Sequence, residues 1–317
     1  MEILDLRQIR ARDLELLLEE ETGLWKKHLL WNYGPSADLI KRFVDSQSLS
    51  GYAAIENGRA VGYSFFVYED HKGLIGNLFV SGPFRGSTEN RLLTHVIETL
   101  QGTPGIRRIE AQLMIFGAGK LEPAFRQGSF SVRERKFMFR EIGPGEIGLP
   151  PRHLPDIEFL AWDDRFFENT AALITQAYRD HVDSEINDQY RSLAGALRFL
   201  GNIVQYPGCG AFYSQASWAA FQKGRKTPCG VILTSVVNEG IGHVTQVCTA
   251  PELQGRGVGY ELMRRSAESF RAAGFTGLSL TVTSANRPAV NLYERLGFRT
   301  LREFSAFVWD TTPAGAP

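Results

Sequence analysis

The chain has 317 residues, a length that suggests about two domains, with 35 basic and 35 acidic side chains and a formal net charge of zero. A balanced chain has no overall field to draw it to nucleic acid or an anionic lipid surface. Three cysteines without a C-x-x-C pair, and no histidine pair at ligand spacing, argue against a disulfide framework and a zinc site. A charged N-terminus and the absence of a long apolar run point to a cytoplasmic protein that neither enters a membrane nor binds nucleic acid.

In chain order, helices are expected over 13–31 and 36–44, then strands at "GYAAIE", "RAVGYSFFVY" and "GLIGNLFV". A helix over 88–100 precedes a strand "RRIEAQLMIF", a short helix at "LEPAFRQ" and a strand "RERKFMFREI". The basic stretch 126–140 reads as a solvated strand face. "IGPGEIGLPPRHLP", 142–155, holds too many prolines and glycines for a regular element and reads as a linker. Beyond it come a strand "IEFLAW", one helical run over 166–190, and a helix over 192–203. Strands "GAFYSQASWAAF", "CGVILTSVV" and "GHVTQVCTA" follow. A helix opens after "QGRGVG", with Gly274 at its C-terminal cap position. A strand "GLSLTVT", a helix "RPAVNLYERL" and a strand "TLREFSAFVW" complete the half. The tail 311–317 reads as disordered.

The two halves repeat one order. "GLIGNLFV" precedes "SGPFRGSTENRLL" as "HVTQVCTA" precedes "PELQGRGVGYELM", with an offset of 169 at Arg85/Gln254 and 168 at Phe130/Phe298. This implies one fold used twice.

Gly255, Gly257 and Gly259 alternate where a strand turns into a helix. The first N–H groups of a helix lack internal partners, and the helix dipole adds partial positive charge there. Glycine admits positive φ and lets a diphosphate approach the backbone. A tight connection without a ligand is the alternative. The P-loop pattern is absent, and G-x-G-x-G is not the dinucleotide fingerprint.

"QGRGVG" matches the Q/R-x-x-G-x-G/A motif of the GNAT N-acetyltransferase superfamily, and "NRPAVNLYERLGF" (Asn286–Phe298) resembles its later N-x-x-A-x-x-L-Y-x-x-x-G-F signature. The likeness covers about 155–310, and the first half is similar in outline only. It implies an α/β (α+β) chain of two tandem GNAT folds. Each is a mixed, mostly antiparallel twisted sheet flanked by helices, with splayed fourth and fifth strands. The organisation expected is a degenerate domain at 1–141, a linker at 142–155 and a catalytic domain at 156–310.

The resemblance implies acetyl-CoA as co-substrate, no metal, and transfer of acetyl to the primary amine of a small molecule. Gln254, Gly255, Arg256, Gly257, Val258 and Gly259 would hold the diphosphate. Val247 and Thr249 would pair their backbone with the pantetheine arm, and the N–H of Val247 or Cys248 would meet the oxyanion. Asn286 and Asn291 would support the pantetheine, or serve as cap and turn residues. Tyr293 is the expected proton donor to the leaving thiolate. His243 is the expected base by its place on the fourth strand, with His181, Asp183 and Glu185 as alternatives. Cys248 is not expected to act as a nucleophile. A non-catalytic acyl-CoA sensor or scaffold is the competing reading.

In the first half Gly257, Val258 and Gly259 are replaced by Thr88, Glu89 and Asn90, and Tyr293 by Phe125. A carboxylate falls where the diphosphate should sit, and like charge opposes binding there. That half is expected to be a degenerate domain with a structural or substrate-shaping role.

Overall fold

The computed structural model describes residues 1–143, 145, 148–205 and 210–311. Parts of the expected linker and of the loop at 202–212, and the expected tail from 312, lie outside the described residues, as does Cys209. The chain divides into two compact units. The first is Met1–Arg135 with the chain from Arg302 onward, and the second is Lys136–Leu301. This differs from the domain limits expected at 141 and 156: each unit takes part of a strand from beyond its own half.

The first unit contains β1 (Glu2–Asp5), α1 (Ala11–Leu29), α2 (Gly34–Asp45), β2 (Ser50–Glu56), β3 (Arg59–Glu69) and β4 (Lys72–Val80). It continues with α3 (Ser87–Gly102), β5 (Arg108–Gln112), α4 (Glu122–Gln127) and the start of β6 (Ser131–Glu141). Strands β1 to β4 pair antiparallel in sequence order, and β4 pairs β5 in parallel. The four-residue β1, too short to show a period, was not expected; it is fixed by its register on Tyr52–Ile55. β5 ends sooner than expected, because Leu113 starts a turn that closes with the Phe116 N–H on its carbonyl (3.0 Å).

The second unit holds β7 (Ile157–Ala161), α5 (Phe167–Ala177), α6 (Val182–Ile186), α7 (Leu193–Gln205), β8 (Ala211–Phe212) and β9 (Trp218–Gln222). β10 (Pro228–Asn238), β11 (Ile241–Thr249), α8 (Val258–Ala272), β12 (Gly277–Thr283) and α9 (Arg287–Arg295) follow, and β13 (Arg299–Asp310) starts here. β7, β9, β10 and β11 form an antiparallel run, and β11 pairs β12 in parallel. Its core joins Leu200, Val231, Leu262, Phe270 and Leu278, all fully buried.

Two expected elements are broken. The helical run over 166–190 splits because Asp180 takes a left-handed φ of 57° and the chain restarts at α6 behind a His181 cap. The strand over 210–221 is interrupted by a single 3-10 turn at Ser214–Ala216. There the Ser217 hydroxyl donates to the Tyr213 carbonyl (2.9 Å) and accepts from the Thr234 N–H (3.0 Å), a local hydroxyl turn that competes with the ladder.

The repeat is visible in the bulges. β3 and β4 shift register past Gly76, and β10 and β11 shift past Thr245, the position 169 residues on. Both parallel pairings then stop early. β11 pairs β12 only from Ile241 to Val244, although the two strands run on to Thr249 and Thr283. The fourth and fifth strands of this unit therefore splay as expected. Among the described residues no helix is long and apolar enough to cross a membrane.

Candidate active site

The strand β11 delivers its last residues to the splayed edge with a defined polarity. The Ala250 N–H donates to the Cys229 carbonyl on β10 (2.9 Å), so the backbone of Cys248, two residues earlier, also faces β10. By alternation the peptide groups of Val247 and Thr249 face the opening. The Tyr178 hydroxyl, 3.4 Å from the Val247 carbonyl, lies on that side. Of the two expected oxyanion donors, the Val247 N–H is thus directed to the cleft and that of Cys248 is committed to the ladder.

The turn after β11 is built for a left-handed backbone. Gly255 and Gly257 have φ of 75° and 92°, values that strain any residue with a Cβ. Gly259 is helical; a Cβ there would meet only ordinary contacts at 3.8 Å, so its smallness leaves room rather than relieving strain. Leu253, Gln254, Arg256 and Glu261 donate their N–H groups to nearby carbonyls. Those of Gly255, Gly257, Val258, Gly259 and Tyr260 make no hydrogen bond among the described residues, and Gly257 lacks a side chain to cap α8. Five donors and a helix dipole converge on one spot. Gln254 and Arg256 are exposed beside it.

A neighbour that local motif reading missed is Arg152. The linker lies along the start of α8: the Arg152 N–H donates to Glu261 (3.1 Å), its guanidinium stands 5.2 Å from the Tyr260 ring, and the Tyr260 hydroxyl donates to the Pro150 carbonyl (3.0 Å). Proximity of 152 to 260 is tertiary, and no local signal in the sequence carries it.

Tyr293 projects from α9 with only 7% of its surface exposed. Its hydroxyl makes no hydrogen bond among the described residues. Burial pushes the phenol above its usual range, and nearby Asp183 and Cys248 push it further in the same direction. Burial alone raises the Cys248 thiol to about 12, so it is not a thiolate nucleophile.

Asp183, near this phenol, belongs to a cluster of side chains drawn from several elements. Thr283 at the end of β12 donates its hydroxyl to Asp183 on α6. Asp183 Oδ2 lies 3.6 Å from Nδ1 of His181, whose Nε2 is 3.2 Å from the Asn286 carboxamide. Asn286 also caps α9, accepting from the Ala289 N–H (3.2 Å), so it serves both as cap and as a member of this cluster. Tyr178 stacks on Tyr190 (4.3 Å between centroids) and donates to Gln246 Oε1 (3.2 Å). The Gln246 Nε2 is buried without a partner, a donor that folding alone leaves unsatisfied.

His243 lies elsewhere on β11. It is 5% exposed, its Nδ1 lies 2.9 Å from the Ser279 hydroxyl, and its ring stacks on Phe137. Asn291 is exposed, and its side chain makes no hydrogen bond among the described residues. Glu185 is exposed on α6.

The corresponding place in the first unit is closed by its own side chain. Glu89, 1% exposed, reaches back from the third position of α3 to accept the Gly86 N–H. Thr88 and Arg91 contact Met1. Phe125, where Tyr293 stands in the repeat, is fully buried and stacked on Phe307 at 3.8 Å.

Residues 185–298 match the model of the acetyltransferase (GNAT) family. A mycothiol acetyltransferase of Nocardiopsis dassonvillei is 26% identical over 309 residues, covering 88% of this chain and 84% of that protein. Among solved structures, a GCN5-related N-acetyltransferase from Sphaerobacter thermophilus superposes with a TM-score of 0.67 at 14% identity, covering 99% of this chain and 98% of that one. A tandem GNAT protein from the clavulanic acid biosynthesis pathway gives 0.61 at 14% identity, covering 99% of each. The family match lies on the unit that carries the open donor bed and the phenol, and residues 185–298 of that unit are similar to the acetyltransferase (GNAT) family.

Proposed function

We propose that the second unit transfers acetyl directly from acetyl-CoA to the primary amine of a small molecule. The observation that carries this reading is the juxtaposition of the N–H groups at Gly255 and Gly257–Tyr260, which make no hydrogen bond among the described residues, with a splayed strand edge ending near the Tyr293 hydroxyl. The N–H groups suit a diphosphate, Gln254 and Arg256 flank it, and the Val247 and Thr249 backbones suit the amide arm behind it. Asn286 braces the far end of that arm through its place beside His181.

The chemistry assigned to the residues follows from what each group can do. The amine must lose a proton to attack, since an alkyl ammonium has a pKa near 10. Asp183 draws the cation, and His181 beside it accepts the proton through its imidazole. His243 is the competing assignment. The nitrogen lone pair forms the new C–N bond, and the carbonyl oxygen gains charge that the Val247 N–H meets. As the C–S bond breaks, the electron pair goes to sulfur and Tyr293 donates a hydrogen bond to it. The mycothiol acetyltransferases among the relatives support an amine acceptor.

The test is acetyl-CoA turnover over a panel of primary amines that includes mycothiol-related ones. Tyr293→Phe is expected to lower kcat by about a hundredfold with acetyl-CoA affinity unchanged. His181→Gln is expected to shift the acid limb of the pH–rate profile, with His243→Gln leaving it in place. An unchanged kcat in Tyr293→Phe removes the phenol from the reaction. Tight CoA binding with no transfer to any amine favours the sensor reading.

A further inference from the structure

The first unit has lost the diphosphate bed but keeps a small cleft of about 90 Å³ lined by Leu24, His28, Phe79, Val80, Arg85, 115–117, Lys120 and Arg302. By the repeat, Val80 and 115–117 stand where Thr249 and 283–285 flank the opening in the second unit. Half of the lining is apolar or aromatic. The rest is Gly117, His28 and three cations, Arg85, Lys120 and Arg302; Arg85 and Lys120 lie over the rings of Phe79 (6.0 Å) and Phe116 (5.6 Å).

The charges do not cancel. Arg85 has Glu20 at 4.0 Å and Lys120 has Glu89 at 4.0 Å. Arg302 is half-buried and has no carboxylate partner among the described residues; its guanidinium donates to the carbonyls of Met114 (3.0 Å) and Ile115. Burial pulls its pKa down. The neighbouring His28 reports the same local field: burial, then Arg302, Lys27 and Arg85, hold it below its usual value. A cation removed from water without a counter-ion is costly, and its two carbonyl partners leave further guanidinium N–H groups available.

We propose that this cleft binds a small organic monoanion, a carboxylate on an aromatic or apolar body, with the carboxylate on Arg302 and Lys120 and the body between Phe79 and Phe116. One uncompensated positive charge matches one negative charge, and the apolar walls match the body. This site is separate from the proposed acetyl-CoA bed and makes the first unit a ligand-binding module.

The experiment uses the full chain and benzoate as the probe, with benzamide as its neutral counterpart. The readout is the His28 titration by NMR, assigned with His28→Gln. A bound carboxylate offsets the field of Arg302, so saturating benzoate is expected to raise the His28 pKa by about half a unit or more. Benzamide is expected to leave it unchanged. Arg302→Gln is expected to weaken benzoate binding at least about tenfold. Lys120→Met, at an exposed position, is expected to weaken it by a smaller factor and covers the case in which Arg302→Gln does not fold. No saturable His28 response, an equal response to benzamide, or unaltered binding in Lys120→Met overturns the proposal. So does a response to inorganic phosphate with benzoate inert.

Discussion

Tyr293 and Phe125 occupy the same place in the repeat and differ by one oxygen, and the environments differ accordingly. Phe125 is sealed by Phe307 and Phe130, whereas Tyr293 keeps a hydroxyl without a partner beside Asp183 and Cys248. Because burial raises that phenol above about 10, while a thiol leaves with a pKa nearer 8.5, complete proton transfer to sulfur is uphill. A hydrogen bond that strengthens as the thiolate develops fits the same geometry. The other buried acid of note serves no reaction. Glu21 in the first unit is fully buried and held by Tyr63 (2.5 Å), Asn77 (2.6 Å) and Trp25 (3.1 Å), and burial lifts its pKa from 4.5 to about 7. The folded chain therefore keeps a proton that the unfolded chain has released above pH 4.5. This contribution to stability is complete below that pH and is lost as pH rises through about 7, a change of about 3 kcal/mol. Urea unfolding followed by tryptophan fluorescence is expected to show a lower midpoint at pH 8 than at pH 5, and Glu21→Gln to flatten that difference. Equal slopes in the two proteins count against a buried neutral Glu21.

The helices α3 and α8 start alike in sequence pattern and end up with opposite surfaces. α3 opens with one half of a capping box, Glu89 accepting the Gly86 N–H, while α8 opens on Gly257 with Tyr260 at the equivalent helical position. Tyr260→Glu gives α8 the half-box that α3 has. A side-chain cap contributes about 0.5–2 kcal/mol, which offsets the lost Tyr260–Pro150 bond, so thermal stability is expected to change little. Acetyl-CoA affinity, measured by calorimetry, is expected to fall about tenfold or more, since the carboxylate takes the donors and repels phosphate. Stability preserved with affinity intact contradicts the donor bed. Elements of this kind were legible where the signal is local. The strands beside both bulges, α8, α9 and the glycine turn follow from period and motif. What was not legible depends on contacts made only in the fold. No window reveals that Asp180 would take a left-handed conformation and split the run over 166–190. Nor does any window bring Thr283 and Asn286 to Asp183 and His181, about a hundred positions away, or fold Arg152 onto α8. His243 was chosen by its place on a strand; its contacts include Ser279 and Phe137, which only the sheet and the packing on it supply.

At the scale of the molecule, a cut at the linker does not yield two self-sufficient domains. The chain from Arg302 onward belongs to the first unit, where Ala306–Asp310 pair antiparallel with Arg108–Gln112 on β5. The Ser131 hydroxyl donates to the Val308 carbonyl (3.1 Å), and Phe307 covers Phe125. Phe304, Ala306, Phe307 and Val308 are all buried. Burying one large apolar side chain contributes about 1.5–3 kcal/mol, so Phe304, Phe307 and Val308 together match the roughly 5 kcal/mol at the low end of a whole domain's stability. Their removal also leaves the edge of β5 without its antiparallel partner. A fragment of residues 1–141 is therefore expected to lack cooperative unfolding by circular dichroism and to show poor proton NMR dispersion. Adding a synthetic peptide of residues 302–311 is expected to restore part of both. If 1–141 alone melts cooperatively and gains nothing from the peptide, the last strand is dispensable to the first unit, and the repeat is two independent domains after all.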